Sequence, residues 1–248
     1  GPGEYTSELL DCLEENNAHA TFFMLGQNVQ NYQDDVKRML ELGCEIGNHS
    51  WDHANMYELS LDSVVKEFND ADQALIDACG QASTVVRAPY GNANEDIMNA
   101  VGKPFFMWSL DSLDWKYKDV DLDYKSIMQD NSSVIKDGTI ILMHDIHEPS
   151  VKAAERIIPE LINMGFKLVT VSEMAEAKNV TLQNASYNNF WQDILDQGLV
   201  PGYAGNSTSD ADTSDGTEDS SDGSEDGSGS DGSEDYSDGS EDGSNSSE

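Results

Sequence analysis

The sequence predicts an α/β fold, an irregular (β/α) barrel of parallel strands. Three observations support this prediction: short apolar runs recur along residues 1–185, segments of helical periodicity lie between them, and glycine follows several of the helical segments. Regular alternation of strand and helix indicates a parallel sheet covered by helices. Strands that are apolar on both faces suit a barrel or a doubly wound sheet.

The first predicted element is a helix from Tyr5 to Asn16, ahead of the first apolar run. The clearest helix spans Ser60–Cys79, where apolar residues recur at i, i+3, i+4 and i+7 and so share one face. Gly80 follows it directly, where a left-handed helix end favours glycine. A second helix of this kind covers Val151–Ile162. The predicted strands are Ala20–Leu25, Cys44–Gly47, Thr84–Val86, Phe105–Leu110, Thr139–Met143 and Lys167–Val171.

The chain divides into three predicted regions. Residues 1–185 form the folded domain, and residues 186–204 form a linker or a short helix, expected between Tyr187 and Leu199. From Gly205 onward the sequence is a loose repeat of Ser, Gly, Asp and Glu without large aliphatic side chains. Such a segment cannot bury enough apolar surface to offset the entropy of ordering. Residues 205–248 are therefore predicted to be a disordered acidic tail.

The composition restricts the possible partners. There are 48 acidic against 13 basic residues, which gives a net charge of −35. An acidic surface repels phosphates, so nucleic acid and anionic lipid are excluded as predicted partners. No run approaches the ~20 apolar residues that a membrane helix needs, so no membrane span is expected. Cys12, Cys44 and Cys79 have no paired spacing and are predicted to be free, buried thiols.

Ionisable residues follow four of the predicted strands directly. In a (β/α) barrel the carboxyl ends of the strands meet at one face, and catalytic residues come from several of them. Four such clusters therefore predict one catalytic site. The clusters are HSWDH at His49–His53, RAPYG at Arg87–Gly91, DSLDW at Asp111–Trp115 and LMH at Leu142–His144.

Two of the clusters contain histidines with distinct predicted roles. His49 and His53 have the H-x3-H spacing that occurs among zinc ligands. Two imidazoles alone make a weak site, Asp52 is poorly placed as a third ligand, and two half-exposed loop histidines are the alternative interpretation. Asp114 and His144 are a plausible carboxylate–imidazole pair, in which the carboxylate fixes the tautomer of a general acid. Taken singly, each of the two is equally consistent with a structural role.

Arg87 follows a predicted strand and precedes Pro89, which favours an extended Ala88. A guanidinium at a strand end is best explained by a carboxylate that it holds in a fixed orientation. A surface arginine is the alternative. Trp115 and Leu142, viewed in isolation, are more typical of a core than of a substrate site.

Together the four clusters resemble the motifs of the polysaccharide deacetylases of the NodB-homology type, carbohydrate esterase family 4. HSWDH matches the family's H-[ST]-x-x-H metal motif, RAPYG its R-x-P-Y motif, DSLDW its D-x-x-D-W motif and LMH its L-x-H motif. The resemblance extends from Gly1 to about Leu182 and leaves out the tail.

The resemblance implies a role for each residue of the site. A divalent metal ion, expected to be zinc, would be bound by His49 and His53. His144 would be the general acid, oriented by Asp114, and Arg87 would hold the catalytic base in place. The substrate-binding residues implied are Tyr90, whose backbone N–H would stabilise the oxyanion, and Trp115 and Leu142, which would contact the acetyl methyl group.

The family's first motif, T-F-D-D-G-P, matches this chain only at Gly1 and Pro2. Its two aspartates, which in the family are the catalytic base and the third metal ligand, are therefore expected upstream of Gly1, together with the first strand of the barrel. The alternative is that the Gly-Pro pair is the remnant of a cleaved tag. Without the two aspartates, the chain as given is expected to be nearly inactive.

The activity implied is removal of N-acetyl groups from an N-acetylglucosamine-type polysaccharide, peptidoglycan or chitin-like. An O-acetyl esterase acting on xylan is a close alternative, because the same site can attack either carbonyl. A non-catalytic glycan-binding surface module is a hypothesis of a different class, and the residues upstream of Gly1 would distinguish it. The protein is expected to be a secreted or cell-surface monomer. His19 and His147 are left without a role.

Overall fold

The computed structural model describes residues 1–202, so the predicted disorder of residues 205–248 lies outside the described part. Short parallel strands alternate with helices along this part of the chain. The helices are α1 (Thr6–Glu15), α2 (Gly26–Val29), α3 (Gln33–Glu41), α4 (Leu61–Cys79), α5 (Glu95–Val101), α6 (Asp114–Tyr117), α7 (Val120–Lys125), α8 (Glu148–Asn163), α9 (Val171–Ala177) and α10 (Gln192–Asp196). The strands are β1 (Thr21–Met24), β2 (Glu45–Asn48), β3 (Phe105–Phe106), β4 (Leu110–Asp111), β5 (Ile141–Leu142) and β6 (Ser186–Tyr187).

The strand pairs are parallel, as the sequence predicts. β1 pairs with β2 over four residues, from Thr21–Glu45 to Met24–Asn48. Asn48 then bridges to Val86 and Val86 to Phe105, and β3 pairs with β6. β4 pairs with β5 in a separate ladder. The α/β class is therefore confirmed, with β2 in the interior of the longer ladder.

A closed barrel, however, is not found among residues 1–202. The run at Thr84–Val86 contributes a single bridge, Phe105–Leu110 divides into β3 and β4, and Lys167–Val171 forms no strand. The last difference has a local cause. The Thr170 hydroxyl accepts a hydrogen bond from the Glu173 N–H at 3.1 Å, and the Glu173 carboxylate accepts one from the Thr170 N–H at 2.8 Å. This capping box starts α9 at Val171 and ends the extended run there.

Among the described strands, β1 and β5 each pair on one side only. A cavity of about 310 Å³ is lined by residues of both strands and by residues 167–171. Its walls are mainly apolar side chains, including Phe22, Met24 and Leu142. The incomplete ladder therefore leaves an apolar space beside two unpaired strand edges.

The helix α4 forms as its sequence predicts. The Ser60 hydroxyl accepts a hydrogen bond from the Ser63 N–H at 3.3 Å, which caps the first turn. Gly80, with φ at 86°, ends the helix in the left-handed conformation. The buried face of the helix carries Val64, Phe68, Ala71 and Leu75, and it packs behind β2.

Residues after 185 also contribute to the core. Tyr187, Phe190 and Leu195 are buried, and the Tyr187 ring stacks on Phe106 with the ring centroids 5.2 Å apart. The helix α10 lies within the segment where a short helix is expected. The domain boundary at residue 185 stays a prediction, but these contacts show that residues 186–200 pack against the preceding domain.

The three cysteines are free thiols, with Cys12 and Cys44 buried and Cys79 half-buried. Within residues 1–202, the helices are all too short or too polar to cross a membrane.

Candidate active site

The two histidines of the HSWDH segment meet at the end of β2. The ring centroids of His49 and His53 are 4.9 Å apart, with the ring planes at 74°. The His49 Nδ1 donates a hydrogen bond to the Arg87 carbonyl oxygen at 2.7 Å. That bond fixes the tautomer and directs the Nε2 lone pair of His49 away from the strand.

Both imidazoles are held in the neutral form. Burial lowers the pKa of His49 well below its usual 6.5, although the bond to the Arg87 carbonyl opposes this effect. Burial also lowers the pKa of His53. A metal ion binds the neutral imidazole, so these pKa shifts favour metal binding at neutral pH.

The loop that carries His53 has an unusual backbone. Ser50 and His53 both have positive φ, at 70° and 71°. For residues other than glycine this conformation carries strain and needs support from the surrounding structure. The Ser50 N–H donates to the Asn48 side-chain oxygen at 2.9 Å, and the His53 N–H donates to the Ser50 hydroxyl at 3.1 Å. These bonds close the loop against the end of β2.

Arg87 is 9% exposed and lies over the ring of Phe23, with its guanidinium carbon 4.3 Å from the ring centroid. Its Nε donates to the Phe106 carbonyl at 2.8 Å and its Nη2 to the Met107 carbonyl at 2.9 Å. Among residues 1–202, no carboxylate forms an ion pair with it. The carboxylate that it is expected to hold is assigned by the resemblance to a segment upstream of Gly1 and stays a prediction. Burial lowers its pKa to about 9.

Asp114 and His144 form the expected pair. Asp114 is fully buried at the start of α6, and its Oδ1 accepts a hydrogen bond from His144 Nδ1 at 2.7 Å. The same carboxylate accepts the His144 backbone N–H through Oδ2 at 2.6 Å and the Trp115 N–H through Oδ1 at 2.8 Å. Burial acts to raise the pKa of Asp114, but the bonds from His144 outweigh it and the net shift is downward.

The three residues expected to contact substrate differ in exposure. Tyr90 is 65% exposed with φ at 60°, and its ring lies against His53 with the centroids 4.6 Å apart. Its backbone N–H donates to no group among residues 1–202. Trp115 is 51% exposed, whereas Leu142 is buried in β5. Tyr90 and Trp115 are therefore accessible to a large ligand, and Leu142 forms part of the wall beneath.

The cavity brings the strand-end clusters together. His49, Arg87 and His144 all line it, although they are widely separated in the sequence, and Asp145 lines it beside them. His53 and Tyr90 join this group through His49, and Asp114 joins it through His144. Leu142 also lines the cavity, and the Trp115 N–H donates to Asp114, so all eight residues singled out from the sequence are connected to the cavity. Their individual chemical roles stay predictions.

The sequence alone did not point to several residues that shape this site. Asn48 is fully buried and anchors the histidine loop, while Glu67 and Asp72 reach it from α4. Asp145 accepts a hydrogen bond from the Thr6 hydroxyl at 2.5 Å. Asn48 and Asp145 directly precede or follow a histidine of the site, which is a weak indication in the sequence. Glu67 and Asp72 lie on a regular helix, where nothing distinguishes them from surface acids.

Comparison with known proteins shows the family of the chain. Residues 1–104 match the polysaccharide deacetylase family. The chain is 39% identical over 173 residues to a peptidoglycan-N-acetylmuramic acid deacetylase, PdaC, of Bacillus subtilis, covering 70% of this chain and 36% of that protein. It is 34% identical over 204 residues to a peptidoglycan-N-acetylglucosamine deacetylase of Bacillus cereus, covering 78% of this chain and 71% of that protein.

A solved structure also matches. A family 4 acetyl xylan esterase from Clostridium thermocellum, in complex with a cobalt ion, superimposes with a TM-score of 0.69 at 29% identity, covering 76% of this chain and 94% of that chain. This chain and that esterase thus share an α/β fold. The chain belongs to the polysaccharide deacetylase family. It spans about a third of the length of the first curated relatives that it matches.

Proposed function

We propose that this chain is a metal-dependent hydrolase that removes N-acetyl groups from an N-acetylglucosamine-containing polysaccharide, with peptidoglycan as the first candidate. The observation that carries the proposal is the position of the Asp114–His144 pair on the same cavity as His49 and Arg87. The peptidoglycan deacetylases among the relatives support this substrate class.

The donor set fits part of the coordination shell of a divalent ion, for which we propose zinc. His49 and His53 supply two neutral imidazoles, and the His49 Nδ1–H bond leaves Nε2 available. Within residues 1–202 no third His, Cys, Asp or Glu joins them. When bound, the metal would polarise the acetyl carbonyl and lower the pKa of a water molecule from about 15.7 toward 7.

The other steps depend on residues of this chain. His144, held through Nδ1 by Asp114, presents Nε2 to the cleft and donates a proton to the leaving amine nitrogen. The unpaired N–H of Tyr90 donates to the oxygen of the attacked carbonyl as its charge develops. Arg87 supplies a buried positive charge beside the cavity, which would orient a carboxylate acting as base. Leu142 and Trp115 enclose the methyl group.

A second candidate activity is hydrolysis of O-acetyl esters. The similarity to an acetyl xylan esterase favours it, since the same groups can attack an ester carbonyl. The leaving group of an ester is an alcohol, which needs less protonation by a general acid than the amine leaving group of an amide. Replacement of His144 should therefore reduce amide cleavage more than ester cleavage.

The test compares acetate release from an N-acetylglucosamine oligomer, from purified peptidoglycan and from acetylated xylan, each with zinc present. We expect release from the first two substrates by a version of the protein with the upstream aspartates restored, and we expect His144→Gln in that version to abolish it while His147→Gln does not. Because the relatives' whole chains are longer, the assay includes a version of the protein that carries a T-F-D-D strand before Gly1. Binding of the oligomer without release by either version would identify a glycan-binding module instead.

The proposed substrate class also supports a proposal about the cellular location of the protein. Peptidoglycan and chitin-like polymers lie outside the cytoplasmic membrane, so we propose a secreted or cell-surface location. We also propose that the protein acts as a monomer, which size-exclusion chromatography with light scattering would test.

A further inference from the structure

Asp72 of α4 is a carboxylate with an unusually complete set of donors. Its Oδ1 accepts hydrogen bonds from the Asn48 Nδ2 at 2.9 Å, the Ser83 hydroxyl at 2.7 Å and the Ser83 N–H at 3.2 Å. Its Oδ2 pairs with the Lys103 ammonium, which also donates to the Ser83 hydroxyl at 3.1 Å. The Asp72 side chain is 14% exposed and that of Lys103 23%, so solvent screens this pair only in part.

The Asn48 side chain connects Asp72 to the histidine loop. Asn48 is fully buried, and its Nδ2 donates both to Asp72 and to the Phe68 carbonyl at 2.7 Å. With both amide protons directed at α4, the Asn48 Oδ1 points the other way and accepts the Ser50 N–H. A carboxylate and a carbonyl can only accept, so Asp72 and Phe68 together allow one orientation of the Asn48 amide.

That orientation supports the strained part of the loop. The bond to Asn48 holds Ser50 at its positive φ, and the Ser50 hydroxyl in turn receives the N–H of His53, which also has positive φ. Residues held in this region persist only where the surroundings determine them. The contacts that run from Asp72 through Asn48 and Ser50 to His53 hold these two residues in the strained conformation.

A second acidic residue of the same helix holds the middle of the loop. The Glu67 Oε2 accepts the backbone N–H groups of Trp51 at 3.0 Å and Asp52 at 3.3 Å. Glu67 and Asp72 are thus two separate attachments from α4 to one five-residue loop. Glu67 acts at the exposed side and Asp72 at the buried side.

We propose that Asp72, paired with Lys103, is a positioning residue that fixes the relative orientation of His49 and His53 through the Asn48 amide. The inference rests on the proposed function, because a fixed orientation of two imidazoles matters for the binding of a metal ion. Asp72 itself touches neither the histidine rings nor the cavity.

The experiment uses Asp72→Asn, with Asp70→Asn as the matched control. Asp70 lies on the same helix but forms an exposed pair with Lys66, so its loss removes the same charge without touching Asn48. In Asp72→Asn the Asn48 amide loses its charged acceptor, and only the Phe68 carbonyl and the Ser50 N–H still hold its orientation. The double variant Asp72→Asn with Lys103→Met leaves no unpaired buried cation and is the variant expected to fold best.

The first measurement is made without metal. The ring ¹⁵N resonances of His49 and His53 report their tautomers and mutual contact, and those of His19 and His147 serve as internal references. We expect the resonances of His49 and His53 to shift or broaden in both Asp72 variants and to stay unchanged in Asp70→Asn. The second measurement is zinc affinity by calorimetry, which we expect to fall about 10–100-fold, as for other residues behind metal ligands.

A purely structural role for Asp72 gives a different result. The thermal midpoint would fall, but the His49 and His53 resonances and the zinc affinity of the folded variants would match Asp70→Asn within about twofold. That result would overturn the proposal. If the version that carries the T-F-D-D strand before Gly1 binds no zinc and releases no acetate, the proposed function fails, while the ring resonances still decide whether Asp72 positions the two histidines.

Discussion

The carboxylate of Asp114 binds His144 at two points, the ring Nδ1 at 2.7 Å and the backbone N–H at 2.6 Å. A single buried group therefore fixes both the position of the residue and the rotation of its ring. Because the pKa of Asp114 is lowered, the carboxylate is ionised at neutral pH and holds the His144 ring by accepting its Nδ1–H. This arrangement suits a proton donor whose Nε2 faces the cleft.

Replacing Asp114 with Asn should reduce activity and change its pH dependence. The amide cannot stabilise the imidazolium and can leave the ring in the wrong tautomer. We expect a loss of about 10²-fold or more in kcat, with a smaller change in KM. The measurement is kcat and KM for an N-acetylglucosamine oligomer from pH 5 to 9. An unchanged pH profile would mean that another group controls His144.

The same substitution should reduce stability in a pH-dependent way. The pKa of Asp114 is lower in the folded protein than its usual 3.8, so its contribution is present above that pH and disappears as the pH falls through the folded value. Leaving His144 without its buried partner should cost about 3 kcal/mol at neutral pH. Urea unfolding at pH 7 and near pH 3 checks this, and the difference from the parent should shrink at the lower pH.

Replacing Asp123 with Asn should raise the stability of the protein, whereas replacing Asp114 should lower it. It is fully buried on α7, neither of its carboxylate oxygens has a hydrogen-bond donor among residues 1–202, and burial together with nearby Asp114 raises its pKa to about 6. A raised pKa means that the ionised form is destabilising, with no penalty below about pH 4 and the full penalty above about pH 6. Asp123→Asn should therefore stabilise the protein by up to about 3 kcal/mol at pH 8 and hardly at all at pH 4.

The control for Asp123 is Asp121→Asn on the same helix. The Asp121 carboxylate is exposed and pairs with Arg156, and exposed pairs contribute little. Thermal unfolding of both variants between pH 4 and pH 8 makes the comparison. Equal gains at pH 4 and pH 8 would show that packing rather than charge sets the stability at Asp123.

A strand placed ahead of Gly1 should act on both the cavity and the metal site. The sequence resemblance suggests T-F-D-D, and the 310 Å³ cavity beside β1 and β5 has unpaired strand edges that such a segment can use. We expect a higher thermal midpoint, tighter zinc binding and more acetate release than for the chain as given. The matched version with T-F-N-N should show the higher thermal midpoint but neither the tighter zinc binding nor the additional acetate release. Equal zinc affinity in the two versions would refute the assignment of a ligand to that segment.

The long helices and the order of the motifs were predictable from the sequence, because both depend on local patterns. The predicted bounds Ser60–Cys79 agree with the observed helix to within one residue, since capping and apolar periodicity depend on residues that are close in the sequence. The strands were less predictable. The run Lys167–Val171 is as apolar as a strand, but the capping box at Thr170 draws its end into α9. That capping box is a local signal, whereas the division of Phe105–Leu110 into β3 and β4 depends on partner strands that lie far away in the chain.

The residues of the candidate site also differ in how far the sequence predicts them. His49, His53 and Asp114 could be found because each belongs to a short motif. The partners of Arg87 could not, because the carbonyls of Phe106 and Met107 become acceptors only where β3 ends. Asp72 and Asp123 look like ordinary acidic residues on helix surfaces, and their burial results from contacts across 11 to 31 residues of sequence for Asp72 and from the packing of α7 against α8 for Asp123.

The position of β2 inside the longer ladder has a consequence for local unfolding. Asn48 is bonded to its neighbours on both sides, through β1 and Val86, whereas β5 is held by two residues on one side. Amide hydrogens of β2 should therefore exchange with solvent only when the whole domain opens, and those of β5 through smaller fluctuations. The strand that precedes the two histidines would stay folded while the strand that leads to His144 detaches. The proposed proton donor and the proposed metal ligands would then separate before the protein unfolds, so that activity would be lost at a lower temperature than the fold.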